Sequence, residues 1–84
     1  MPYSIEVKAS AVKVLERIPR DDQIQIAKKI KSLASNPRPN NCVKLSDSIY
    51  YRVRCGDYRI IYEILDDKLI IVILKIGHRK DVYR

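Results

Sequence analysis

The stretch Y-Y-R-V-R-C-G-D-Y-R-I-I-Y-E-I, residues 50–64, constrains this fold more than any other. Two runs rich in β-branched and aromatic residues flank Gly56-Asp57, and glycine in a two-residue loop supplies positive φ without steric penalty. The spacing predicts a hairpin with Cys55 opposite Tyr58, Arg54 opposite Arg59, Val53 opposite Ile60 and Arg52 opposite Ile61. Successive side chains point to opposite faces of a strand, so Tyr51, Val53, Cys55, Tyr58, Ile60, Tyr62 and Ile64 form one face, the expected core. The other face carries Tyr50, Arg52, Arg54, Arg59, Ile61 and Glu63. Like charges directly opposite one another destabilise a sheet, so this face is either an ordinary solvated surface or one that a polyanion completes.

The rest of the chain supplies partners for the hairpin. Residues 3–8 alternate as a short strand with Tyr3, Ile5 and Val7 inward, and Ser10 to Ile18 has helical spacing of Val14, Leu15 and Ile18 before Pro19. Asp21 or Asp22 is placed to cap a second helix with the stripe Ile26, Ala27, Ile30, Leu33 and Ala34. Its lysines, Lys28, Lys29 and Lys31, read as a solvated face. Residues 36–41, N-P-R-P-N-N, form a loop. After the hairpin, a tight turn at Asp66-Asp67 leads into K-L-I-I-V-I-L-K-I, a strand apolar on both faces and therefore interior to its sheet; this turn sets Leu74 opposite Arg59. The expected fold is α+β, in the order β-α-α-β-β-β, with two helices on one face of a small, mainly antiparallel sheet and the arginines on the open face.

At 84 residues the chain is expected to form a single domain, residues 1–84, near the size at which one core holds a fold unaided. Seventeen basic against ten acidic residues leave a net charge of +7, which favours nucleic acid, a ribosome or an acidic protein as partner. The excess is present in both halves, so only local clusters define a site. Cys42 and Cys55 have no disulfide-framework or ligand-like spacing with the single His78 and read as small buried hydrophobes in a reducing, cytoplasmic setting. The longest apolar run, Leu69 to Leu74, is too short to span a bilayer, and no membrane association, metal or other cofactor is expected.

The C-terminal sequence G-H-R-K-D-V-Y follows the last strand. His78, with an ordinary pKa near 6.5, has the chemistry of an acid or base, and so does Tyr83 if cations lower its pKa. Equally simple readings are a surface histidine in a loop and an aromatic that packs the tail onto the sheet.

The run Y-R-V-R-C-G-D-Y-R-I-I-Y-E-I-L-D-D-K-L-I-I-V-I-L-K-I-G-H-R-K-D-V-Y-R resembles the C-terminal half of the RelE family, within the RelE/ParE superfamily of type II toxins. The Tyr3 to Lys8 strand, the two helices and the N-P-R loop extend the resemblance over essentially the whole chain. It implies a toxin that enters the ribosomal A site and cuts mRNA there by attack of the 2′-OH on the adjacent phosphate. The implied products are a 2′,3′-cyclic phosphate and a 5′-OH. By motif position, Arg59 stabilises the phosphorane, Arg79 the leaving oxygen, Tyr83 stacks on a base and takes the 2′-proton, and Arg52 and Arg54 position the phosphate. His78 is the alternative acid; Arg52, Arg54, Arg59 and Lys80 are the implied RNA contacts. The implied partners are mRNA, a 70S-type ribosome and a small acidic, RelB-like antitoxin. The chain stops one residue after Tyr83, so the C-terminal helix of longer relatives is expected to be lacking. Two other functions remain open: a ParE-like poison of DNA gyrase, which needs none of these nuclease residues, and a non-catalytic module that binds an antitoxin.

Overall fold

The computed structural model describes residues 2–46 and 49–78. Strand β1 (Ser4–Val7) leads into helices α1 (Ala9–Arg17) and α2 (Arg20–Leu33), followed by strands β2 (Cys42–Lys44), β3 (Tyr50–Cys55), β4 (Tyr58–Leu65) and β5 (Ile70–His78). The sheet runs β1-β5-β4-β3-β2, antiparallel except for the parallel pair β1 and β5. Two helices on a mostly antiparallel sheet are the expected α+β architecture, and β5 is interior as its apolar faces require. Strand β2 was not anticipated: three residues with one β-branched side chain carry no alternation to read, and the strand exists because β3 offers it an edge.

The hairpin register is the predicted one, with Arg54 opposite Arg59 and Cys55 opposite Tyr58, and Gly56 takes φ +60°. The next register is different. The turn between β4 and β5 holds four residues, 66–69, not two, and Leu69 adopts the left-handed φ of 56° that closes it. Farther along, Ile61 pairs with Lys75 while Tyr62 pairs with Ile73, so Leu74 is an extra residue with no counterpart on β4. The longer turn and this bulge shift the pairing by three residues, and Arg59 lies opposite Gly77 instead of Leu74.

The bulge also explains how β5 contributes to the core. Strict alternation that buries Ile71 and Ile73 would turn Ile76 outward, whereas the extra residue resets the phase and all three are at most 2% exposed. They pack with Val53, Ile60 and Tyr62 of the neighbouring strands and with Ala11, Ile18, Ile26, Ile30 and Leu33 of the helix layer. The helical stripes are therefore narrower than their sequence suggests. Val14 and Ala27, expected inward, are exposed, because Ala11 with Ile18 and Ile26 with Ile30 and Leu33 define the buried lines. Pro19 occupies the start of α2, its carbonyl accepting from the Gln23 amide at 2.9 Å, and Asp21 and Asp22 sit in the first turn, where they complement the helix dipole without capping it.

A polar cluster ties the loop after α2 to the sheet. The Tyr62 hydroxyl donates to the Pro37 carbonyl at 2.7 Å, and Arg38 lies over the Tyr51 ring and donates to the Asp66 carboxylate at 2.9 Å. Tyr3 donates to the same carboxylate at 2.6 Å. These bonds to Arg38 and Tyr3 hold the Asp66 carboxyl below its ordinary pKa, and the same acceptor raises that of Tyr3. A lowered carboxyl contributes stability above its unfolded pKa of about 3.9 and loses it as pH falls through the folded value. Asp66→Asn is thus expected to flatten the acid limb of the stability curve below about pH 4, read from urea midpoints at several pH values. Ile60→Ala, at a fully buried central position, is expected to lose about 2–5 kcal/mol in the same assay.

Candidate nucleic-acid interface on the open sheet face

With both helices on one side, the opposite face of the sheet can be read row by row from the strand pairings. One row runs Arg54, Arg59, Gly77 across β3, β4 and β5. The next runs Val43, Arg52, Ile61, Lys75 from β2 to β5, and the row beyond it Tyr50, Glu63, Val72, Glu6 from β3 to β1. Cations therefore occupy the hairpin end of the face and the carboxylates stand one row away. Charges are segregated over roughly 7 Å, two residues of a strand.

Arg52, Arg54 and Arg59 are brought together as the sequence suggests, but they are not equally solvated. Arg54 is exposed, Arg52 is partly buried, and Arg59 is only 6% exposed, the one buried charged residue among those described. The expectation of a uniformly open arginine face thus fails at Arg59. It lies on β4, with β3 and β5 on both flanks, where a side chain has less access to water than on an outer strand. A guanidinium held at that depth is restricted in its rotamers and oriented before any ligand arrives, at a cost in desolvation.

His78 is turned away from this group. It pairs with Tyr58, so it shares the helix-side face, and its ring meets the Tyr58 ring edge-on with centroids 5.6 Å apart. It lines a groove there with Val14, Ile18 and Pro19 of the helix layer. The bulge is the cause, since residue 78 would face the arginines if alternation ran unbroken from Ile73. Arg79, Lys80 and Tyr83 lie outside the described residues. Among the described residues no group of three or more His, Cys, Asp or Glu side chains is arranged to hold a metal ion, and no helix is long and apolar enough to cross a membrane. Cys42 and Cys55 are free thiols on the helix-side face, and burial pushes the Cys55 thiol up.

Lys75 is the residue that reasoning from sequence missed. It is exposed and shares the row of Arg52. One signal was available, a lone lysine inside the apolar run of residues 69–76.

Residues 5–83 match the family model described as ParE toxin of the type II toxin-antitoxin system parDE. The chain is 33% identical over 89 residues to a protein of Methanocaldococcus jannaschii named as toxin RelE1, covering 100% of this chain and 98% of that one. It is 23% identical over 82 residues to the mRNA interferase toxin RelE of Escherichia coli K12, covering 95% and 86%. Among solved structures, a chain of the archaeal RelE-RelB complex from Pyrococcus horikoshii superposes with a TM-score of 0.86 at 29% identity, covering 96% of this chain and 99% of that one.

Like charges set opposite one another on a sheet should be stabilised by a bound anion. Inorganic phosphate or sulfate at ten times its dissociation constant is expected to add about 1.4 kcal/mol to the wild type. Arg54→Gln is expected to lose most of that increment while gaining a few tenths of a kcal/mol of its own from relieved repulsion, both read from melting midpoints with and without the anion.

Proposed function

We propose that this chain, which belongs to the RelE/ParE-type toxins of type II toxin-antitoxin systems, cuts mRNA on the ribosome and so arrests translation. The observation that carries the reading is the cationic corner of the sheet, where Arg54 stands opposite Arg59 and Arg52 lies in the adjacent row. A gyrase-directed toxin has no need of such a corner; a phosphodiester cut by its own 2′-OH does. The name of the E. coli relative, an mRNA interferase, supports the same direction.

In this mechanism the RNA supplies both nucleophile and leaving group, so the protein needs to move protons and stabilise charge, without a metal. Tyr83 takes the 2′-proton. The 2′-oxygen then bonds to phosphorus, the bond from phosphorus to O5′ breaks, and the products are a 2′,3′-cyclic phosphate and a 5′-OH. Arg59, already oriented by burial, faces the charge that develops on the phosphorane. Arg52 and Arg54 hold the phosphate through the fixed donors of the guanidinium. Arg79 stabilises the departing oxygen electrostatically, because a group with a pKa above 12 is a poor proton donor, and the proton comes from solvent. His78, on the opposite face, is not assigned that proton. Lys80 adds a backbone contact, and the ribosome supplies the alignment that so sparse a set lacks.

The RelE-RelB complexes formed by structural neighbours support a cognate antitoxin as the second partner, acidic in keeping with the +7 charge of this chain. In a bacterial translation extract, primer extension on a reporter mRNA is expected to show cuts within codons that require ribosomes. Arg59→Gln is expected to slow them by about 10²–10³-fold, and Tyr83→Phe and Arg79→Ala to weaken them strongly, with each variant checked for folding. Growth arrest without such cuts would point instead to the gyrase reading.

A further inference from the structure

Lys75 reaches the outer face only because Leu74 is inserted into β5. Without the extra residue, the phase that buries Ile71 and Ile73 would carry residue 75 into the helix-side core and turn Ile76 to solvent. With it, Lys75 is exposed on the outer face, one strand from Ile61 and two from Arg52. It is also the diagonal neighbour of Arg59, whose direct partner is Gly77, at about 7–8 Å. Beyond Ile73 the outer edge of β5 has no strand partner among the described residues, since β1 pairs only as far as that position. Lys75 therefore stands at a margin that β1 does not cover, bordered by Val14 and Arg17 of α1.

These placements define a row. Arg52 and Lys75 are about 10 Å apart across two strand spacings, with the aliphatic side chain of Ile61 between them. Arg54 and Arg59 border the row on one side, and Glu63 and Glu6 stand on the other. An extended polyanion laid along β3 would run from the arginines toward the Tyr50 and Glu63 row. One laid across the strands meets cations at both ends and keeps away from the carboxylates. We propose that Lys75 binds a phosphate of the substrate RNA next to the one that is cut, so that the strand crosses the sheet from β3 to that margin of β5. Lys75 is here a positioning residue: its mobile ammonium holds a backbone phosphate as a point charge, while the guanidiniums hold the reacting one.

The inference rests on the RNase reading, and the test separates the two. A short RNA with 2′-O-methyl groups, which has no free 2′-OH to attack, is bound to the wild type, Lys75→Gln, Lys75→Arg and Lys31→Gln, with affinity followed against salt. Lys31→Gln removes the same charge from exposed α2 and corrects for net charge. Loss of one phosphate contact makes the slope of log affinity on log salt shallower by about 0.7 for a single strand. The expected result is that change in Lys75→Gln, with affinity about tenfold weaker at low salt, near wild-type behaviour in Lys75→Arg, and no change of slope in Lys31→Gln. A Lys75→Gln slope equal to that of Lys31→Gln overturns the proposal, as does an unchanged slope on the free RNA combined with weaker binding to vacant ribosomes, which would assign Lys75 to ribosomal RNA. A wild type that binds no free RNA at any salt also overturns the proposal, whereas the RNase reading is overturned separately, by the absence of ribosome-dependent cuts in the translation extract.

Discussion

A strand with a period of two cannot bury Ile71, Ile73 and Ile76 on one side, and the single inserted residue at Leu74 resolves that conflict. The balance is easily judged. Burying an isoleucine contributes about 1.5–3 kcal/mol, and the net value of one ladder hydrogen bond disturbed by a bulge is about 0.5–1.5 kcal/mol. Core closure wins. The outer face is altered as a consequence: Lys75 and Gly77 come to lie beside the arginines, and His78 turns toward Tyr58 and α1. One insertion thus sets both the packing against the helices and the composition of the cationic corner.

The two faces of the sheet answer to different demands. The helix side is a continuous apolar layer from Cys42 to Ile76, closed at one margin by the tie from Tyr62, Arg38, Tyr3 and Asp66. The outer side concentrates like charge at the hairpin end and buries one guanidinium, both of which work against stability. An 84-residue chain has little stability to spare. Retaining that arrangement is intelligible if an anionic ligand offsets the like-charge repulsion, as in other proteins whose functional sites oppose the folding of their own scaffold.

Much of the plan is written locally. Gly56-Asp57 admits one two-residue loop, and the alternation of residues 50–64 admits one register around it, so the pairing of Arg54 with Arg59 was legible without coordinates. The unbroken apolar run of residues 69–74 identified an interior strand for the same reason. Helical periodicity located α1 and α2 but overstated their buried stripes: Val14 and Ala27 have the right spacing, yet Ala27 lines an open groove between the two helices and Val14 one beside β5. Strand β2 and the four-residue turn at 66–69 left no local signature, because the first depends on an edge offered from elsewhere and the second on Leu69 accepting a left-handed φ.

The sequence by itself determined the hairpin, its register, the order of the elements other than β2 and the presence of three arginines on one side of a sheet, since turn chemistry and a period of two act over a few residues. Tertiary structure alone decided how deeply each arginine is buried, which side His78 faces and that Lys75 joins the cations. Those outcomes depend on the phase of β5 relative to a core assembled from distant segments, and a strand of isoleucines, leucine and valine does not reveal its phase until the helices choose which of them to cover.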